Sequence, residues 1–463
     1  MRAKGKLRGS PFKGGAWAVA SLFVLSSCSQ IPDYRAPFFD FANTFAGQST
    51  GTPALLHDAT WWEDFEDPVL NTLVARALES NLDLEAANER VVAARAQART
   101  VTRGQSAQAE IGLERRGGSD RPTERGATAD LSLGWLLDPF GGRAAQRAAA
   151  TARIEVADAE RDAARLVLLN SLISAYIDLR FAEASLALRQ GERRSRQRSL
   201  ALINDLFEGE AATRLDLVRS RALLSETDAT LPRLDATRDA RSNEIAVLLG
   251  QTPGSITLPP GRTGQQLKVP NSAELAIPAD LVRNRPDIRI SERLYYAAVA
   301  DIGSAKAALY PQLSLTGTIS ISAFDGDGIN TYGFGPSLTL PAVPTGPGKA
   351  AVEIAESNAR RALTAWKSTV ISAIGGVETA LAEYHANHRA VAAARRSVQL
   401  YEEAVALTRE LLVNEGTTVQ ELLDAERRVG AAQITLAGAE RDLARSYATL
   451  NVALGAGSRE TAQ

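Results

Sequence analysis

Residues 312–323, QLSLTGTISISA, alternate apolar and polar side chains. Leu313, Leu315, Ile319, Ile321 and Ala323 share one face, interrupted by Gly317; Gln312, Ser314, Thr316, Thr318, Ser320 and Ser322 share the other. Period two predicts a strand with one apolar and one hydrated face. YGFGPSLTL follows as its partner, with Tyr332, Phe334, Leu338 and Leu340 opposite Gly333, Gly335, Ser337 and Thr339. An earlier pair has the same form: Ile111 and Leu113 in AEIGLER, then Leu131, Leu133, Trp135 and Leu137 in ADLSLGWLLD. The polar stretches GGSDRPTERG and DGDGINT are expected to be the hairpin loops.

After each strand pair the pattern changes period. Residues 143–207 and 349–414 contain no proline and are rich in alanine, leucine, arginine and glutamate. If continuous, each run makes a helix of about 100 Å at about 1.5 Å per residue. Val391, Ala394, Val398, Tyr401, Val405, Thr408 and Leu412 follow a 3-4-3-4 spacing, which is a coiled-coil seam. Each run ends in a glycine-bearing tip, Phe207-Glu208-Gly209 and Asn414-Glu415-Gly416, where glycine suits a positive φ. Returning helices are expected from near Thr213 and Thr417, with hydroxyl N-caps, ending at LLG and ALG. Pro232 is expected to kink or interrupt the first return. Shorter helices over 82–104 and 286–309 deliver the chain to each strand pair. Ile173-Ser174-Ala175 recurs as Ile371-Ser372-Ala373. One plan therefore occurs twice, at a period of about 200 residues, too long for a solenoid.

The strand pattern fits a soluble sandwich, and it also fits a membrane barrel. Small polar inner faces and aromatic ends (Trp135, Phe140, Tyr310, Phe324) favour the barrel. Four strands leave open edges, which hydrocarbon does not tolerate, and about eight strands are needed for closure. Oligomerisation must then close it, and three copies give twelve strands.

The N-terminus changes the picture of compartment. Arg2, Lys4, Lys6, Arg8 and Lys13 precede the apolar run Ala16–Leu25, which is too short to span a bilayer and reads as a secretion signal. It ends in Leu25-Ser26-Ser27-Cys28, which resembles a lipoprotein cleavage box, and Cys28 is the single cysteine. Cys28 is thus the expected acylated first residue of the mature chain, and Ser29 fits sorting to the outer membrane. A net charge of −2 gives no reason to expect nucleic acid.

No catalytic constellation stands out, so an enzyme is not expected. GPGKA at 346–350 lacks the spacing of a phosphate loop. His385 and His388 are one turn apart without a supporting carboxylate or cysteine cluster, and DGDG at 325–328 reads as an ordinary turn, so no metal site is expected. The single methionine, Met1, disfavours thioether metal handling. Glu421 and Asp424 lie one turn apart on a helix face, where the repeat places Asp216 and Arg219 as their equivalents.

WWEDFEDPVLNTLVARALESNLDLEAANERV, LDPFGGR, IPADLVRNRPDI, AALYPQLSLTG and NEGTTVQELLDAER occur in one order along nearly the whole mature chain. In these segments the chain resembles the TolC-type outer-membrane efflux ducts, and within them the lipoprotein branch of OprM and NodT. The resemblance implies an α+β membrane protein: a trimeric 12-stranded β-barrel, four strands per chain, continuing into an α-helical coiled-coil barrel with a mixed equatorial domain. It implies a signal peptide over 1–27, a lipidated segment over 28–67, repeats over 68–250 and 278–455, a linker over 251–277 and a tail over 456–463.

By the same resemblance the protein is a passive duct in the outer membrane of a Gram-negative bacterium, reaching into the periplasm. Its partners are a periplasmic adaptor, an inner-membrane transporter and outer-membrane lipid, and it carries no cofactor beyond the lipid on Cys28. A type I secretion duct and a structural coiled-coil lipoprotein remain as alternatives. Asp424, Glu421, Gln420, Asp216 and Arg219 fall at the periplasmic gate, with Arg219 a partner for Asp424 across coils. Gly209, Gly416 and Thr417 fall at tips that meet the adaptor. The tip from Gly416 to Asp424 is one residue shorter than the family pattern, and Gln420 stands where an apolar constriction residue is common.

Overall fold

The computed structural model describes residues 34–39, 60–102, 104–256, 266–270, 285–324, 327–341, 345–413 and 416–459. Cys28 and most of the 251–277 linker lie outside them. A 3-10 turn, Trp61–Phe65, leads into α1 (Pro68–Ser80) and α2 (Leu82–Thr102). Strands β1 (Gln105–Gly118) and β2 (Arg121–Leu136) follow, then α3 (Gly142–Glu208) and α4 (Arg214–Leu248). The plan repeats as α5 (Pro286–Ala307), β3 (Gln312–Phe324), β4 (Asp327–Thr339), α6 (Gly346–Val413) and α7 (Val419–Leu454). The outgoing helices have 67 and 68 residues, the returning ones 35 and 36. Among the described residues no helix is long and apolar enough to cross a membrane, which says nothing of the sheet.

The chain divides into two compact units. One comprises Met1–Ala36, Ala94–Ile154 and Arg293–Leu363. It contains a four-stranded antiparallel sheet in the order β1-β2-β3-β4. The register places Ile111 beside Ala129, Leu131 beside Ile319 and Ile319 beside Tyr332, so one apolar face runs unbroken across all four strands. Its large side chains are exposed: Ile111, Leu113, Trp135, Ile321, Tyr332, Phe334 and Leu338. The gap at Gly317 has a cause. A Cβ there would come within 2.5 Å of the Phe334 ring, which lies across the bare backbone of the neighbouring strand. Where the strands meet the helices, Phe140 stacks on Tyr310 with centroids 4.7 Å apart. Phe324 pairs with Gly126 on the polar face, so it does not belong to the apolar set.

Two loop expectations are corrected. The ladder continues through GGSDRPTERG, leaving a turn at Ser119 and Asp120, and β4 already begins at Asp327. Antiparallel backbone pairing does not need apolar side chains when both faces of the hairpin are wet, so polarity there does not end a strand.

The second unit comprises Pro37–Ala93, Glu155–Glu292 and Thr364–Gln463. Its core gathers Trp61, Phe65, Leu70, Leu73, Leu169, Ile173 and Tyr384, all buried. Phe65 meets Tyr447 edge-on at 5.5 Å, and Tyr447 donates its hydroxyl proton to Asp64. Tyr176 donates to Asp67 Oδ2 at 2.8 Å, while Asp67 Oδ1 caps α1 by accepting from Val69 and Leu70. The seam from Val391 to Leu412 on α6 is buried or half-buried at every position. Pro232 sits inside α4 without interrupting it.

Candidate functional site

All the predicted tip residues belong to the second unit. Ile203 of α3, Leu217 of α4, Leu412 of α6 and Val419, Leu422 and Leu423 of α7 form a buried apolar cluster. Burial of about 1.5–3 kcal/mol per large side chain makes this cluster the anchor that fixes the ends of four helices. The polar tip residues are held around it.

The first tip closes through a Schellman arrangement. Ala211 N donates to Leu206 O at 2.8 Å and Glu210 N to Phe207 O at 3.1 Å. The left-handed residue is Glu210, at φ 60, and Gly209 has no positive φ; nor has Gly416 at the second tip. The expectation that these glycines supply the left-handed turn is therefore corrected. α4 then starts at a capping box. Asp216 N donates to Thr213 Oγ1 at 3.2 Å, and Thr213 N donates to Asp216 Oδ2 at 3.1 Å. On α7 the N-cap is Thr418 rather than Thr417, its Oγ1 accepting from Glu421 N at 3.3 Å. Thr417 instead donates its hydroxyl to the Glu421 carboxylate.

Arg219 and Gln420 are brought together, Nη1 donating to Oε1 at 3.3 Å. Within the chain Asp424 meets other cations: Arg427 at 2.5 Å and Arg428 at 2.9 Å, one turn further along α7. The hydrogen bond from Arg428, then that from Arg427, holds the Asp424 carboxyl below the usual carboxylate range. Glu421 and Gln420 are exposed, while Asp424 and Asp216 are half-buried.

Sequence reasoning missed Glu426. It is buried on α7, and its Oε1 accepts from Ser199 at 2.7 Å, Arg409 at 2.8 Å and Ser195 at 3.3 Å, tying α7 to α3 and α6. A cavity of about 300 Å³ lined by Glu192, Ser195, Glu426 and Gln433 adjoins it. The signal was present: Glu426 falls on the apolar stripe Val419, Leu422, Gly430, where a charge needs built partners. Among the described residues no group of three or more His, Cys, Asp or Glu is arranged to hold a metal ion.

A four-stranded sheet with one exposed apolar face, in a chain that also holds helices of 67 and 68 residues, defines a membrane channel protein. The chain belongs to the outer membrane efflux protein family, whose model matches residues 73–251 and 277–456. It is 35% identical over 447 residues to nodulation protein T of Rhizobium leguminosarum bv. viciae, covering 94% of this chain and 92% of that protein. It is 29% identical to the outer membrane protein OprJ of Pseudomonas aeruginosa over 439 residues, 89% of this chain and 90% of that one. The solved open-state MtrE outer membrane channel of Neisseria gonorrhoeae superposes with a TM-score of 0.83 at 27% identity, covering 94% and 100% of the two chains. The protein is an outer-membrane efflux channel.

Proposed function

We propose that the chain is the passive outer-membrane duct of a tripartite efflux system. The observation that carries this reading is the sheet: its apolar face spans all four strands, and the outer edges of β1 and β4 have no partner among the described residues. Open edges cannot face hydrocarbon, so three copies close the sheets into a barrel of twelve strands. The helices support the same assembly. On α4, Leu215, Val218, Ala222, Ser225 and Ala229 form an exposed 3-4 seam. On α6, Ala393, Ser397, Leu400, Ala404, Leu407 and Leu411 form a second seam, exposed or half-buried, beside the buried one. The two run antiparallel, and each mixes small residues with large ones, as adjoining coils of neighbouring copies require.

The family is that of the outer membrane efflux proteins, and an inner-membrane transporter acting through a periplasmic adaptor is the energy source this reading assigns. Asp424, Glu421, Gln420, Asp216 and Arg219 form the periplasmic gate, repeated three times around the tube. Gly209, Gly416 and Thr417 lie at the tips that the adaptor meets. Cys28 bears the lipid, and intact-mass analysis of the purified protein tests it: an acyl adduct on Cys28 is expected, and a free Cys28 thiol refutes it. Reconstitution of the detergent-purified protein in planar bilayers tests the duct. Stepwise single-channel conductance is expected, and a correctly assembled oligomer without conductance refutes the reading.

A further inference from the structure

We propose that Arg115 and Arg125 form a binding surface for lipid-headgroup phosphates on the outer rim of the barrel. The inference rests on the membrane-barrel reading. In the β1–β2 ladder Arg115 lies directly opposite Arg125. Immediately below them on the same face lie the pairs Leu113–Ala127, Ile111–Ala129 and Ala109–Leu131, which continue into Ile321 and Ile319 of β3. Both arginines are exposed and stand on the apolar face. The opposite face at this level carries the exposed carboxylates Glu114 and Glu124. That opposite face is mixed, since Arg116 holds the register position opposite Glu124, whereas no Asp or Glu stands on the Arg115–Arg125 face of the β1–β2 ladder.

Height decides the partner. Within the β1–β2 ladder the apolar face begins at Trp135, paired with Gln105. From Gln105 to Arg115 the strand climbs roughly 34 Å at about 3.4 Å per residue, or roughly 26 Å along the barrel axis at a tilt of about 40°. An apolar band is about 25 Å tall, so the two guanidinium groups stand where hydrocarbon gives way to headgroups. Directly opposed like charges in an antiparallel pair disfavour each other, and an anion shared between them reverses that sign. A guanidinium has five donors in a planar fork matched to phosphate, so a hydrogen bond made within the sheet leaves others for a ligand. A partner that sets phosphate at this height while its remainder lies against Leu113 and Ile111 is a phosphorylated lipid.

Native mass spectrometry of the full-length oligomer in detergent tests this, using lipid A with both phosphates and its dephosphorylated form as probes. The wild-type protein is expected to retain the phosphorylated form at least about tenfold better, as two charges at a phosphorylated surface imply. R115Q/R125Q is expected to lose that preference, R115K/R125K to keep part of it, and neither to change single-channel conductance. Equal retention of the two probes by the wild type overturns the proposal, as does an undiminished preference in R115Q/R125Q. If R115Q/R125Q does not assemble, the wild-type comparison of the two probes still decides. Failure of the wild type to insert and conduct in bilayers is the separate result that overturns the barrel itself.

Discussion

Asp424 is an anion with two cationic neighbours on its own helix, and on the proposed gate reading this decides how the mouth of the channel responds to pH. Its carboxyl is held low by Arg428 and Arg427. A carboxyl depressed in the native state contributes its stabilisation above the unfolded value of about 3.9 and loses it as pH falls through the native value. The charge of the mouth should therefore persist below the pH at which an ordinary aspartate is neutralised. Reversal potentials under a salt gradient give the measurement: wild-type cation preference is expected to survive acidification to about pH 4, close to the ordinary aspartate value. R427Q/R428Q should shift its loss to higher pH, and an unmoved profile would show that Asp424 does not control selectivity. Asp424→Ala with Glu421→Ala should weaken selectivity and raise conductance. The sequence made the carboxylates on this face legible but not their partners. Arg219 was expected opposite Asp424 because the repeat aligns them, yet within the chain it reaches Gln420, one turn nearer the helix start. Thr417 and Thr418 offer the same hydroxyl, and only the backbone selects the one three residues before Glu421.

At the scale of elements, long proline-free runs and a sustained heptad made the helices legible almost to their ends, because every residue repeats the same signal. Ends depend on a single hydrogen bond or dihedral and were read less well. α4 and α7 do end as LLG and ALG suggest, with Gly250 at φ 68 and Gly455 at φ 78. α3 does not: the left-handed residue is Glu210, one place beyond the glycine. A non-glycine residue there is strained by roughly 1–2 kcal/mol. Glu210→Gly should accordingly stabilise the tip by up to about 1 kcal/mol, after the added flexibility of glycine in the unfolded chain is deducted. Gly209→Ala should be tolerated, since a Cβ there meets nothing nearer than Asp205 O at 3.5 Å. Thermal unfolding of the two variants checks both signs, and a destabilised G209A would return the left-handed role to the glycine. Pro232 is expected to kink or interrupt α4, and the helix is not interrupted there; one missing N–H on a long exposed helix is a local loss that neighbouring turns outweigh.

At the scale of the molecule, what one chain lacks predicts what it joins. Its sheet ends in two edges with no partner among the described residues, and two of its long helices carry seams of apolar and small residues that are exposed or half-buried. Leu215 and Val218 follow the first tip on α4, while Leu407 and Leu411 precede the second on α6. Antiparallel pairing between copies sets these large residues together beside the tips and leaves Ala222, Ser225 and Ala229 to meet Ala404 and Leu400 further along. Burying four such side chains is worth several kcal/mol per interface, at about 1.5–3 kcal/mol each, and the ring repeats it three times. Val218→Glu with Leu407→Glu places two carboxylates in that seam without touching the buried cluster of Ile203, Leu217, Leu412, Val419, Leu422 and Leu423. The double variant is expected to reach the membrane folded but to lose its trimer on mild heating in detergent, where the wild type holds. Crosslinking across the seam, with cysteines at Val218 and Leu407 in a background where Cys28 is retained, should give dimers and trimers only between copies. Retention of a wild-type trimer in the double glutamate variant would mean that the strand edges alone hold the copies together and that these seams face the lumen or the adaptor instead.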